Sequence, residues 1–196
     1  MRVKPLGYLI RVLPEEGLVA QLVERWTEDP SVGGSTPSRS TKKINNMNRV
    51  FRTVQGESVD VVSHTLDVLT ECPYVEVHIG TDSQNHRRST VYVTVIAYRY
   101  GNRGVHYILH KQKMKKIKDK WTRLWNEADY SIEVAEWLTQ KVKVQVQIDL
   151  DYNSQEKYFS SKLVQPVVGW AMSLGYKTNI KPDNQIATKA ADHHCR

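Results

Sequence analysis

Two cysteines, Cys72 and Cys195, are all that the 196 residues contain. Their separation fits neither a zinc-ligand spacing nor a disulfide framework, so both are read as reduced thiols of a cytoplasmic protein. Also missing is any apolar run near the roughly 20 residues that span a bilayer. The N-terminal "MRVKPLGYLIRVLPEEG" lacks the makings of a signal peptide: Arg11 interrupts its apolar stretch, and no small-residue cleavage site follows. No internal repeat is visible, and no feature specifies an oligomeric state. These absences exclude a disulfide-stapled secreted scaffold and a membrane-spanning helix.

What is present is ordinary for a globular domain, with 40% apolar and 25% charged residues. The formal net charge is +7, a sign that suits a polyanionic partner. Basic residues gather in "HKQKMKKIKDK", His110 to Lys120. This run reads either as a solvated strand end or as a patch that contacts phosphates through Lys111, Lys113, Lys115 and Lys116.

The stretch "GLVAQLVERWTEDPSVGGSTPSRST", Gly17 to Thr41, begins with helical spacing at Leu18, Leu22 and Trp26 and ends in linker composition. The genetic code offers another reading. Val19 to Arg25 can be spelled GTA-GCT-CAG-TTG-GTA-GAG-CGN, which resembles the D arm of a transfer RNA gene. Gly34 to Pro37 can be spelled GGT-TCG-ACT-CCN, which resembles the T arm, and the two lie at the spacing of those arms. Thr41 with the start of Lys42 can supply ACC-A, as at an encoded CCA end. Residues 17–41 therefore resemble a translated tRNA gene. The expected natural start is Met47, with residues 1–46 a spurious, disordered or weakly helical extension that says nothing about tRNA binding.

From Met47 about 150 residues remain, the commonest size of one domain. "GESVDVVSHTLDVLTECP" predicts a helix, with Val59, Val62, Leu66 and Leu69 apolar and Pro73 as its stop. "YVEVHIGTDSQ" alternates and predicts a strand ending near Asp82. "STVYVTVIAYRYG" and "GVHYILHKQKMK" predict two more strands, joined by a glycine-rich hairpin turn in "YGNRG". A long helix is expected from roughly Asp119 to Lys141, with Trp121, Leu124, Trp125, Ala128, Ile132, Ala135 and Leu138 on one face. "VKVQVQIDLDYN" alternates strongly as a fourth strand. "KYFSSKLVQPVVGWAMSLG" predicts a helix with Pro166 inside it and Gly175 as its C-terminal cap. "YKTNIKPD" predicts a short strand and "NQIATKAADHHCR" a last helix. A meander followed by alternating β and α elements implies an α/β domain with a mixed sheet and helices against it.

Within this frame, Asp82 lies at the end of the first strand and Asp149 near the end of the fourth, each of parity opposite to the aliphatic positions. If these strands are parallel neighbours, the two acids can meet at one sheet edge, where open α/β sheets place their sites. Carboxylates brought together repel and are stabilised by a cation, and Mg²⁺ and Mn²⁺ prefer such oxygen donors. The plainer alternative is that each aspartate caps a turn.

"HIGTDSQ", "LWNEADYSIEVAEWL", "IDLDYN" and "IKPDNQIATKAADHH" are similar to the signature segments of the YkuK-type family of ribonuclease H-like proteins, from about Phe51 onward. The resemblance implies a mixed five-stranded sheet, its first three strands antiparallel, with a central acidic site. Carried over by position, it implies that Asp82, Glu127, Asp149 and Asp192 are catalytic and hold two Mg²⁺ or Mn²⁺ ions. Glu127 is chosen over Glu133 and Glu136 because it borders the buried stripe of the long helix. Ser83, Asp151 and His78 are expected to support the site.

Other residues have plainer readings. His193 and His194 are adjacent, whereas ligands on one helix face are four apart, so they read as a surface pair. Trp121, Trp125 and Trp137 read as core, and Ser83 and Gln84 also suit a turn. The expected function is a divalent-metal-dependent nuclease acting on RNA, an RNA/DNA hybrid or structured nucleic acid. The alternative is a non-catalytic nucleic-acid-binding or adaptor module on the same fold. No membrane partner is expected.

Overall fold

A computed structural model of the protein describes residues 48–196. The resemblance of residues 17–41 to a translated tRNA gene, and the reading of residues 1–46 as a spurious extension, lie outside the described residues. Seven strands form one mixed sheet: β1 (Phe51–Arg52), β2 (Ser58–Val59), β3 (Glu76–Asn85), β4 (Ser89–Arg99), β5 (Val105–Lys115), β6 (Val146–Asn153) and β7 (Lys177–Lys181). Four helices complete the domain: α1 (Val61–Glu71), α2 (Lys120–Lys141), α3 (Ser161–Ser173) and α4 (Ile186–Cys195). The strand order is β2-β1-β5-β4-β3-β6-β7. Strands β3, β4 and β5 form an antiparallel meander, and β6 and β7 are added in parallel beside β3. The sheet thus has seven strands where five were expected, because two short strands before α1 extend it beyond β5.

Both faces of the sheet are covered. Val77, Ile79, Ile96, Tyr98 and Ile108 pack against α1, α2 and α3. Val91, Val93, Val95 and Ala97 pack against Ala187, Ala191 and Cys195 of α4. Double burial explains why β4 reads as one near-continuous run of β-branched and aromatic residues. It also means that the parity opposite to the aliphatic side of β3 faces a helix rather than solvent.

Local chemistry accounts for the element ends. Asp60 and Asp119 cap α1 and α2 by accepting from the amides of Ser63 and Thr122. Gly175, at φ +84°, ends α3: its amide donates to Met172 O, and the Tyr176 amide donates to Ala171 O. Pro166 lies within α3, whose helix continues past it. In α1 the buried residues are Val61, Thr65 and Val68, while Leu66 is exposed, so the buried face is rotated from the expected one. Strand β3 continues beyond Asp82 to Asn85, and β6 begins only at Val146, after Val142 has closed α2. Trp125 and Trp137 join the core, but Trp121 is exposed in the first turn of α2.

The placement of α4 depends on Gly80. A β-carbon there would lie 2.8 Å from Thr188 Cγ2 and 2.9 Å from the Thr188 amide nitrogen. The helix therefore rests directly on the β3 backbone. Two residues along a strand advance about as far as four along a helix, roughly 6–7 Å. With Thr188 over Gly80, this brings Asp192 toward Asp82. Cys195, at the end of α4, donates its thiol to the Asp82 carbonyl at 3.2 Å.

Candidate acidic site

The parallel register of β3 and β6 sets which acids are neighbours. Gly80 stands opposite Asp149, the last pair of the ladder, and Asp82 and Asp151 each follow two residues further along their strands, near enough for the charge of Asp151 to act on Asp82. The electrostatics follow this geometry. Asp82 has its carboxyl raised to about 6, chiefly by burial, against the Ser83 backbone amide, which lowers it; the charges of Asp151 and Asp192 raise it further and Arg123 opposes them. Glu127, almost fully buried on α2, is raised well above the ordinary carboxyl range, first by burial and then by Asp82. Asp151 also contributes to that rise, while a hydrogen bond from Ser83 and the charge of Arg123 oppose it.

Each of these acids except Asp82 has an ion-pair partner. Ser83 donates to Glu127 Oε1 at 2.6 Å, and Arg123 Nη1 lies 3.8 Å from the same oxygen. Arg123 also donates to the carbonyl and hydroxyl of Ser83, at 2.6 and 2.9 Å, tying the end of β3 to α2. Lys181 of β7 pairs with Asp151 at 2.6 Å, and Arg196 pairs with Asp192 at 2.7 Å. Arg123, Lys181 and Arg196 were not singled out in the sequence. Parity along a strand reveals an acid's face but not the cation that a neighbouring strand or helix brings to it. Glu133 pairs instead with Arg49.

Asp149, expected in the same set, is placed differently. It is fully buried beneath the N-terminus of α4. Its Oδ2 accepts from the Ala187 amide at 2.8 Å; its Oδ1 accepts from Asn179 Nδ2 at 2.8 Å and lies 3.1 Å from His78 Nδ1. Gln185, the N-cap residue of α4, makes no side-chain cap. Asp149 takes over that role from the sheet, with its charge at the positive end of the helix dipole. His78 belongs to this buried cluster, four strand positions from Asp82, and not to the acidic edge.

The lysine run is partly a continuation of the edge. Asp82 is level with Val93, and Val93 with Lys111. Cross-strand partners share a face, so Lys111 lies on the same face as Asp82, two strand spacings or roughly 10 Å away. Lys113 and Lys115 continue the row by alternation, and Lys116 follows the strand. Lys111 itself donates to the His194 carbonyl at the end of α4, at 2.8 Å.

The donor chemistry of Asp82, Glu127, Asp151 and Asp192 fits a hard divalent cation: all are carboxylates, and Asp82 is destabilised by its acidic neighbours. Among the described residues, no three His, Cys, Asp or Glu side chains stand close enough to share one metal ion as placed. Binding would require Asp151 and Asp192 to leave their basic partners. Those pairs are solvent-exposed, and pairs of that kind contribute about 0–1 kcal/mol.

No helix among the described residues is long and apolar enough to cross a membrane. No curated protein and no solved structure matches the chain. A family profile described as ribonuclease H-like matches residues 57–196. With its mixed sheet flanked by helices and this match over most of its length, the chain belongs to the ribonuclease H-like family.

Proposed function

We propose that the acidic edge is a divalent-cation site for hydrolysing phosphodiester bonds in RNA, an RNA/DNA hybrid or structured nucleic acid. The observation that carries this reading is the gathering of Asp151 and Asp192 around a buried Asp82, whose carboxyl is lifted to about 6 chiefly by burial and further by those two charges. Asp82, Asp151, Asp192 and Glu127 would hold Mg²⁺ or Mn²⁺. Such ions, when bound, supply an activated water and stabilise a leaving oxygen. We place Asp151 in the set in preference to Asp149, because the oxygens of Asp149 are engaged by Ala187, Asn179 and His78.

The remaining parts have separable tasks. Arg123 and Ser83 hold Glu127 against the end of β3. The row of Lys113 and Lys115, with Lys116 after it, offers charge to a nucleic-acid backbone running along the Asp82 face. Burial, and then the charge of Asp82, raises the Glu127 carboxyl well above the ordinary range.

The test is cleavage of labelled RNA, DNA and hybrid with Mg²⁺ or Mn²⁺. Wild-type protein should cut at least one substrate, and Asp82→Asn and Asp151→Asn should each abolish cutting. Activity unchanged in both variants would remove the site. A second reading, a binding module without catalysis, is favoured by the pairing of Glu127, Asp151 and Asp192 with Arg123, Lys181 and Arg196. It predicts retention of labelled RNA without cleavage under any cation.

A further inference from the structure

At the other end of the meander, two histidines face each other. His64 of α1 and His106 of β5 have their Nε2 atoms 2.9 Å apart and their ring centroids 5.0 Å apart. Tyr98 holds both rings: His64 meets it edge-on at 5.5 Å, and His106 stacks on it at 5.9 Å and 18°. The Tyr98 hydroxyl is in turn fixed by Thr65, at 2.7 Å. This site is remote from the acids. Tyr98 lies five residues along β4 from Val93, the partner of Asp82, or roughly 17 Å at the rise of a strand.

We propose that His64 and His106 form a binding site for one transition-metal cation of the Zn²⁺, Ni²⁺ or Co²⁺ class, which clamps α1 to β5. Imidazole nitrogens bind such ions at about 2.0–2.1 Å, so two of them lie about 2.9 Å apart at a right angle and about 3.3 Å at the tetrahedral angle. The observed separation needs a change of a few tenths of an ångström at most. Imidazole is the ligand these ions favour, whereas carboxylate clusters favour Mg²⁺ and Mn²⁺. Both rings are half-buried, so one side of the pair is open for water to complete the coordination shell. Asp67, one turn further along α1, adds a negative charge that acts on His64.

The protonation state agrees with this geometry. Burial lowers the pKa of His64 against the pull of Asp67; burial and the neighbouring charge of His64 lower that of His106. Both rings are therefore neutral at neutral pH, the form that offers a lone pair to a metal. Without a cation, one Nε2–H must donate to the other Nε2. With a cation, both Nε2 lone pairs point at it, and the donor ring's proton moves from Nε2 to Nδ1, where the other ring already carries its own.

Calorimetric titration of the full chain with Zn²⁺, in excess Mg²⁺ to occupy the acidic edge, tests the site. The expected result is one Zn²⁺ per chain, bound at least ten-fold more weakly by His64→Ala and by His106→Ala, and unchanged in Asp82→Asn. Zn²⁺ should also raise the melting temperature of wild type but not of either histidine variant. His64→Gln and His106→Gln, which keep ring-sized polar groups, guard against loss of fold. Equal affinity in wild type and the double variant overturns the proposal, as does weakening by only one of the two substitutions. Either failure leaves the acidic-edge reading untouched, since the Asp82 and Asp151 cleavage assay does not involve these histidines.

Discussion

Strand β6 carries two aspartates of the same parity, two residues apart, and their surroundings differ in kind. Asp149 is sealed beneath α4, with its oxygens committed to Ala187, Asn179 and His78. Asp151 reaches the sheet edge, partly exposed, with Lys181 as a partner it can leave. Two residues along the strand separate a carboxylate committed to the fold from one held only by a solvent-exposed ion pair. The difference arises where α4 begins: its first-turn amide, at Ala187, meets Asp149 and not Asp151.

The comparison can be broken most directly by truncating each acid. Asp149→Ala leaves the Ala187 amide and Asn179 without their acceptor and should cost about 3–5 kcal/mol in urea unfolding. Asp151→Ala should cost less than about 1 kcal/mol, the scale of an exposed pair. Similar losses in the two variants would erase the distinction. Gly80→Ala probes the same packing from the strand, since its β-carbon would press on the backbone of Thr188. A loss of about 1–3 kcal/mol is expected, as for other overpacked contacts, while Gly169→Ala, in open space, should show no such loss.

The acidic edge carries a pH signature. Asp82 keeps its proton up to about pH 6 in the native state, against an ordinary value of 3.8. Between these values the native state binds more protons than the unfolded state, so stability falls as pH rises through the window. In EDTA, Asp82→Asn should therefore stabilise the protein at pH 7 by on the order of 1–2 kcal/mol, and the gain should vanish toward pH 4. A gain that persisted at pH 4 would point to a cause other than ionisation. The smallest expected effect belongs to Lys181→Ala. Stability should change by less than about 1 kcal/mol, while Mn²⁺ affinity should rise because Asp151 no longer has a competing cation. A fall in affinity would mean that Lys181 orients Asp151 rather than competing for it.

Much of the fold was legible in the sequence because it rests on local periodicity. The alternation in β3 and β6, the β-branched and aromatic run of β4, the glycines of the hairpin and the helical spacing of α2 each specify their element without reference to the rest. The rotated face of α1 was less legible, since Val61, Val62, Leu66 and Leu69 allow more than one stripe, and only contact with the sheet selects among them. Trp121 shows the same limit: it fits the apolar face of α2 by period, but it lies in the first turn, exposed, with its ring edge-on to Phe159.

The acidic site divides along the same line. Parity within one chain segment put Asp82, Asp149 and Asp151 on a common side of their strands, and resemblance supplied Glu127 and Asp192. Which β6 acid is level with Asp82 depends on the parallel register between strands more than sixty residues apart in sequence, and local pattern carries no information about that offset. The pairing of His64 with His106 is likewise a product of α1 docking on the meander. The sequence by itself determined the elements, their faces and the acid-rich character of one edge, because these follow from short-range stereochemistry and side-chain polarity. The tertiary structure alone decided which acids share a space, which cations oppose them and which aspartate holds α4, because burial and electrostatic coupling depend on distances set only when the sheet and its helices pack together.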